Sequence, residues 1–287
     1  MNGVSLAEVL ADLRRRFAAA GLNDPAMDAR HLLMGLLGLS MTDLVVGGER
    51  PVCKEDGARI EAAALRRLAR EPVHRILGAR EFYGLTLALS AATLEPRPDT
   101  EILVESALGF LRPIAARQQD VRILDLGTGT GAIALALLKE CENIRATATD
   151  ISAEALATAA RNAESNGLSD RLITLKSDWF TAVDGSFDMI VSNPPYISKA
   201  VIEGLEPEVR LYDPMAALDG GEDGLDAYRA IASNAGRFLR PHGHVALEIG
   251  YDQKQAVSDI FDQAGFKLAQ AASDHGGNDR VLIFNFE

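Results

Sequence analysis

From about residue 120 to its end, the chain alternates short apolar runs with stretches of helical length. VRILDLG reads as a buried strand and GAIALALLKE as a helix; IRATATD and SAEALATAARNAESNG repeat the pair. RLITLKSD and FDMIVSNPP add two strands. GLDAYRAIASNAGRFL, GHVALEIG and DQKQAVSDIFDQAG continue as helix, strand and helix, and FKLAQAAS and RVLIFNF close as strands. Strands separated by helices of this length cannot pair as hairpins, because each connection crosses over a face of the sheet. The pattern predicts an α/β, doubly wound parallel sheet with helices on both faces. Ligands of such sheets sit at the carboxyl ends of the strands. Those ends are where this sequence departs from ordinary loop chemistry.

The first strand runs into DLGTGTGA. Gly127, Gly129 and Gly131, with Thr128 and Thr130 between them, open the next helix. Glycines there allow a tight turn and close approach of backbone to a ligand. The spacing of Gly127, Gly129 and Ala132 also satisfies the dinucleotide pattern, so this loop alone does not separate NAD from other adenosine cofactors. The second strand ends at Asp150, where a carboxylate can accept hydrogen bonds from both ribose hydroxyls; Ser152 is the better cap for the following helix. The third ends at Asp178-Trp179, an acid and an indole that can bracket an adenine, although Trp179 can equally fill core. The fourth ends in Asn193, Pro194, Pro195 and Tyr196, for which a hydride-transfer enzyme has no evident need.

Ahead of the sheet, residues 1–75 read as a helical bundle. Ser5 and Glu8 form a capping box before Leu6, Val9, Leu10, Leu13 and Phe17. Asp24-Pro25 opens a second helix, and Lys54–Arg70 is a third. Residues 76–95 carry alternation and two glycines, as a linker hairpin would, and a helix follows from Asp99 or Thr100. The division predicted is 1–75 helical, 76–95 hairpin and 96–287 sheet domain.

Two cysteines, Cys53 and Cys141, give no metal spacing or disulfide framework and fit a reduced, cytoplasmic protein. The N-terminus lacks a signal pattern, and the apolar stretch near His31–Val46 is broken by Ser40 and Asp43, so no membrane span is expected. The net charge is −12. Residues 1–80 hold 12 Lys+Arg against 10 Asp+Glu, so the rest carries −14 and is poorly suited to a phosphate backbone. His242 and His244 lack a third ligand, so no metal is expected, and His275 reads as a surface residue. Asp219, Glu222 and Asp223 form a solvated turn or shape a substrate mouth. Arg59, Arg66, Arg67, Arg70, Arg75 and Arg80 are either a wet helix face or a patch for an acidic partner.

Together, D-x-G-x-G-x-G, the strand-end acid and N-P-P-Y resemble the class I S-adenosylmethionine-dependent methyltransferases, in the branch that methylates planar nitrogens. The chemistry makes the motif intelligible. An amide nitrogen is a poor nucleophile because its lone pair is delocalised into the carbonyl. Acceptors against both N–H bonds, the Asn193 side-chain oxygen and the Pro194 carbonyl, favour localising that pair. Pro194 pushes Asn193 toward extended backbone, and Pro195 removes a competing donor. Tyr196 can stack on the flat target and favour developing positive charge. Positioning and electrostatics would then supply most of the rate.

EPVHRILGAREFYGL (71–85), LEPRPDTEILVE (94–105), YDPMAALDGGEDGLDAYR (212–229) and LEIGYDQ (247–253) are similar to the HemK/PrmC glutamine methyltransferases, nearly end to end and in order. The resemblance implies a seven-stranded class I sheet whose last strand is antiparallel, carrying an N-terminal helical substrate-recognition domain and a hairpin linker. It implies S-adenosyl-L-methionine as cofactor, S-adenosyl-L-homocysteine as product, and the glutamine of the Gly-Gly-Gln loop of peptide chain release factors as acceptor. The implied enzyme is a monomer acting without direct nucleic-acid or membrane contact. Gly127 through Gly131, Asp150, Asp178, Trp179 and Asn193 match the cofactor site; Asn193 through Tyr196 match the glutamine site. Glutamine methylation of a ribosomal protein, amino-methylation of adenine or cytosine, and cofactor binding without catalysis are the other readings.

Overall fold

The computed structural model describes residues 3–286, which divide into two compact units. The first comprises residues up to Ala79 together with Glu206–Tyr212. Its helices are α1 (Leu6–Ala19), α2 (Pro25–Leu37), α3 (Met41–Val46), α4 (Lys54–Leu68) and α5 (Val73–Leu77). The Ser5–Glu8 capping box is formed, and Leu6, Val9, Leu13 and Phe17 are the buried stripe of α1. Asp24 caps α2, with Pro25 in its first turn. The sequence pattern anticipates α1, α2 and α4 but passes over α3 and α5, whose six and five residues are too short to show a helical period.

Part of the arginine run is exposed and part is built into the unit. Arg67 is 5% exposed and is held by Asp28 (2.7 Å) and Glu208 (3.1 Å). Arg70 reaches Glu208 and the carbonyls of Ala20 and Gly21; Arg66 pairs with Glu71, and Arg59 with Asp56. These cations tie the bundle's helices together and recruit the 206–212 segment to it. Tyr212 adds a hydrogen bond to the Ala69 carbonyl (3.0 Å).

The second unit holds residues 80–205 and 213–287. Strands β1 (Ala79–Phe82) and β2 (Leu85–Ala88) make the expected hairpin, turning through Tyr83 and Gly84, both at positive φ. After α6 (Thr100–Ala115) come β3 (Val121–Leu126), α7 (Ala132–Glu140), β4 (Ile144–Asp150), α8 (Ala153–Ser165), β5 (Leu172–Lys176) and β6 (Phe187–Ser192). Two short helices, α9 (Lys199–Ile202) and α10 (Pro207–Tyr212, counted with the first unit), precede α11 (Asp226–Ala235). Then follow β7 (Leu239–Glu248), α12 (Lys254–Gln263), β8 (Phe266–Ser273) and β9 (Asp279–Phe286).

The sheet order is β5-β4-β3-β6-β7-β9-β8, seven strands in all. Among the described residues only the last strand, β9, runs antiparallel, wedged between β7 and β8. β3 and β6 are buried along nearly their whole length, as strands covered on both faces must be. One apolar layer gathers α6, α7 and the hairpin; the other gathers α11 and α12. The order reverses between β3 and β6, the switch point at which such sheets bind ligands.

Candidate functional site

A cavity of about 280 Å³ opens at that switch point. Its floor is the turn after β3, where Gly127 and Gly129 sit at φ +69° and +55°. A Cβ on either would meet no atom within 4 Å. The glycines are therefore needed for backbone conformation, and the space they face is open. Gly131 (φ +83°) differs: a Cβ there would come within 3.1 Å of Leu135 and 3.2 Å of Ala159, so its absence lets α7 and α8 approach. Asn162 of α8, almost fully buried, reaches across from that side. Its amide donates to the carbonyls of Thr130 (2.9 Å) and Ala88 (3.1 Å) and its oxygen accepts the Ala88 N–H (2.8 Å), pinning the glycine turn to the hairpin.

Beneath the floor, Asp125 is 1% exposed. Burial pushes its carboxyl up to about 6, against the pull of the Thr128 hydroxyl (2.6 Å) and the Ala134 N–H. Its Oδ1 has no hydrogen-bond partner. Asp150 stands at the end of β4, beside the turn. Its Oδ2 accepts from the Gly129 N–H (3.0 Å) and its Oδ1 from the Ser152 N–H (2.8 Å). Ser152 caps α8, as the sequence suggests. Asp178 is exposed on the cavity wall. Trp179 lines the wall as well, at φ +47°, and packs against the edge of the second apolar layer.

Asn193 and Pro195 also line the cavity; Ser192 of β6 pairs with Leu126 of β3, so Asn193 leaves its strand beside the glycine turn. Asn193 Nδ2 donates to Thr100 Oγ1 (3.2 Å). Pro194 and Tyr196 are not among the lining residues: Pro194 is buried, and the Tyr196 ring packs at the edge of the second apolar layer. Burial, with the Glu248 charge adding to it, pushes the Tyr196 phenol up to about 12, so the hydroxyl stays protonated. The backbone of this turn is gripped from behind. Gln253 Nε2 donates to the carbonyls of Tyr196 (2.9 Å) and Gly224 (3.2 Å), while its Oε1 accepts from the Gly250 N–H and the Tyr228 hydroxyl. Ile197 bridges to Asp219, so the 219–225 loop is joined to the same turn. In that loop Glu222 pairs with Lys199, and Asp223 with Arg229.

The structure thus gathers Gly127, Thr128, Gly129, Thr130, Asp150, Asp178, Trp179, Asn193 and Pro195 around one cavity, whereas Gly131 is not among its lining residues and faces Leu135 and Ala159 instead. The structure adds Arg97 and Thr100, which lie in the LEPRPDTEILVE stretch without an assigned role, and Ile133. Arg97 is held by the buried Asp213 (2.9 Å). Among the described residues no group of His, Cys, Asp and Glu is placed to hold a metal, and His275 is exposed. No described helix is long and apolar enough to cross a membrane.

Comparison with known proteins places this arrangement. Residues 8–78 match the PrmC N-terminal domain and residues 105–205 the Methyltransferase small domain. Along its length the chain is 56% identical to the release factor glutamine methyltransferase of Agrobacterium fabrum, covering 99% of each. It is 45% identical to the enzyme of that name from Cereibacter sphaeroides, over 93% of each. A methyltransferase from Pyrococcus furiosus shares the fold, with a TM-score of 0.51 at 21% identity, over 81% of this chain and 98% of that one.

Proposed function

This chain belongs to the release factor glutamine methyltransferase family, and from that premise we propose the reaction its cavity serves. It is an S-adenosylmethionine-dependent protein-glutamine methyltransferase. The acceptor is the side-chain amide nitrogen of glutamine in the Gly-Gly-Gln loop of peptide chain release factors, and S-adenosylhomocysteine is the second product. The observation that carries the proposal is Asn193 lining the cavity beside the glycine turn, its amide nitrogen already tied to Thr100 and its oxygen therefore left for an incoming N–H.

The residues fit the cofactor. Open space over Gly127 and Gly129, the Asp150 carboxylate beside them and the Asp178-Trp179 wall suit a nucleoside with a methionine arm. Gly127 through Gly131 would hold the methionine end, Asp150 the ribose, and Asp178 with Trp179 the adenine. When bound, the cofactor supplies an electrophilic methyl group on a sulfonium centre.

The chain's own task is to present the amide. Asn193 Oδ1 and the Pro194 carbonyl accept the two N–H groups of the target and hold its nitrogen toward the cavity. Pro195 offers no N–H to compete. Tyr196 borders the acceptor, with Glu248, Arg280, Arg97 and Asp99 setting its electrostatic surroundings. Holding the reactants in line accounts for most of the expected acceleration, since such positioning lowers barriers by roughly 7–11 kcal/mol. We assign the helical unit a recognition role, a second contact that raises the effective concentration of the loop glutamine. The enzyme acts in the cytoplasm as a monomer.

Transfer of labelled methyl from S-adenosylmethionine to purified full-length release factor tests this, with DNA and ribosomal protein as parallel acceptors. Label on the release factor, lost when its loop glutamine is replaced, is the expected result. Label on DNA or ribosomal protein instead overturns the acceptor and leaves the NPPY chemistry. The −14 balance of residues 81–287 weighs against DNA.

A further inference from the structure

Glu248 is the last residue of β7 and is 2% exposed. It lies within the LEIGYDQ stretch without an assigned role, and the proposed reaction gives it no contact with the acceptor. Its position follows from register: Ser192 of β6 pairs with Leu247 of β7, so Asn193 and Glu248 leave neighbouring parallel strands side by side. Thr100, the first residue of α6 and 3% exposed, sits against both. Asn193 Nδ2 donates to Thr100 Oγ1 (3.2 Å), and the Thr100 hydroxyl and the Asn193 amide both stand near enough to the Glu248 carboxyl to favour its ionised form. Glu248 Oε2 has no partner. A buried carboxylate with an unmet oxygen costs stability, so a fold has no reason of its own to keep one there.

The donor and acceptor arithmetic is restrictive. Glu248 ionises as pH rises through about 7, and once ionised its carboxylate only accepts. It therefore orients the Thr100 hydroxyl hydrogen toward itself, leaving Thr100 Oγ1 as an acceptor. Asn193 then faces two acceptors, and only its NH2 group satisfies them. A carboxamide flipped by half a turn would set its oxygen against both. We propose that Glu248 and Thr100 are positioning residues that lock the Asn193 carboxamide with Nδ2 inward and Oδ1 toward the acceptor glutamine. This rests on the glutamine-methylation reading above. Without the lock, a flipped Asn193 would offer a donor to a target that needs an acceptor, and the target N–H would lose its partner.

The test compares Thr100→Val, which keeps shape and removes the hydroxyl, with Thr100→Ser, which restores it, in the full-length enzyme acting on full-length release factor. Each change is also placed in an Asn193→Ala background, and single-turnover rates are read by label transfer. Thr100→Val is expected to lower kcat by roughly 10- to 100-fold with cofactor affinity held within about threefold, and Thr100→Ser to stay within about threefold of wild type. In the Asn193→Ala background Thr100→Val adds less than about a twofold loss, because the group it orients is gone. Glu248→Gln, whose own NH2 can donate to Asn193 Oδ1 and stabilise the flipped amide, is expected to fall with Thr100→Val. A full Thr100→Val loss persisting without Asn193, or Thr100→Ser as poor as Thr100→Val, overturns the lock. Wild-type enzyme that labels no release factor overturns the underlying reading instead, and the two failures are distinct.

Discussion

The two ends of the cavity are built on opposite principles. At the glycine end the backbone does the work: Gly127 and Gly129 hold positive φ, and Asp150 is fixed by N–H groups of Gly129 and Ser152, close in space and mostly in sequence. At the Asn193 end, in the proposed reaction, a side chain carries the chemistry. Its partner Thr100, the neighbouring Glu248 and the Gln253 clip behind the turn come from two separate parts of the chain, the start of α6 and the 247–253 stretch. A site made of backbone accommodates any ligand of the right shape and charge. One made of a buried polar network fixes which atom points where. The difference predicts that cofactor binding and turnover can be broken separately.

The largest separation comes from Asn193→Ala. Turnover on release factor should drop by about 10³-fold, roughly 4 kcal/mol of transition-state stabilisation, while the cofactor dissociation constant by calorimetry stays within about threefold. Equal losses in both would erase the distinction between the two ends.

Glu248 supplies the next effect, in stability. Burial raises its carboxyl from 4.5 to about 7, opposed by the hydrogen bonds of Thr100 and Asn193 and by Arg280, with Asp99 adding to the rise; the phenols of Tyr196 and Tyr228 face it too. The folded protein thus holds a proton that the unfolded chain has released. Stability is highest below about pH 4.5 as far as this group is concerned, and it is lost as pH rises through about 7. The loss is on the order of 3 kcal/mol. Asp125, raised to about 6 by its own burial, tilts the curve the same way at somewhat lower pH. Glu248→Gln should remove the upper part of that slope, so that urea midpoints at pH 5 and pH 8 converge. A slope unchanged by the substitution would mean that Glu248 does not titrate there.

Asp150→Ala probes the other end. Loss of a charged acceptor is expected to weaken cofactor binding by about 10- to 30-fold, or 1.5–2 kcal/mol. Single-turnover methyl transfer at saturating cofactor should change far less. An unaltered dissociation constant would take Asp150 out of the site.

The same contrast explains what the sequence makes legible. β3, β4 and β6 announce themselves as apolar runs of strand length, and the glycine turn, Asp150 and NPPY lie at their ends, within a few residues of the pattern that locates them. The antiparallel final strand came through the family resemblance, and β9 occupies that place. Thr100 and Glu248 look like an ordinary helix start and strand end; only the β6–β7 register and the fold of α6 back onto the sheet bring them to Asn193. Asn162 is equally silent, a polar residue on a helix until its three hydrogen bonds are seen. The arginines mislead for a related reason. Charge in a helical sequence suggests a wet face, and nothing local says that Asp28 and Glu208, 180 residues apart, converge on Arg67.

Gln253 gives the smallest and most discriminating effect. Its side chain spends every polar atom on backbone and one hydroxyl: the carbonyls of Tyr196 and Gly224, the N–H of Gly250 and the Tyr228 hydroxyl. It touches neither Asn193 nor the cavity wall. Gln253→Ala leaves two carbonyls and an N–H without protein partners, at a cost of about 1–2 kcal/mol and a fall in melting temperature of a few degrees. If the acceptor end works by fixed geometry, that loosening should lower kcat by about 3- to 10-fold and leave cofactor affinity alone. If kcat follows only the fraction folded, so that assays well below the melting temperature match wild type, the turn holds its shape without the clip. The precision of the acceptor end would then reside entirely in the Asn193, Thr100 and Glu248 contacts.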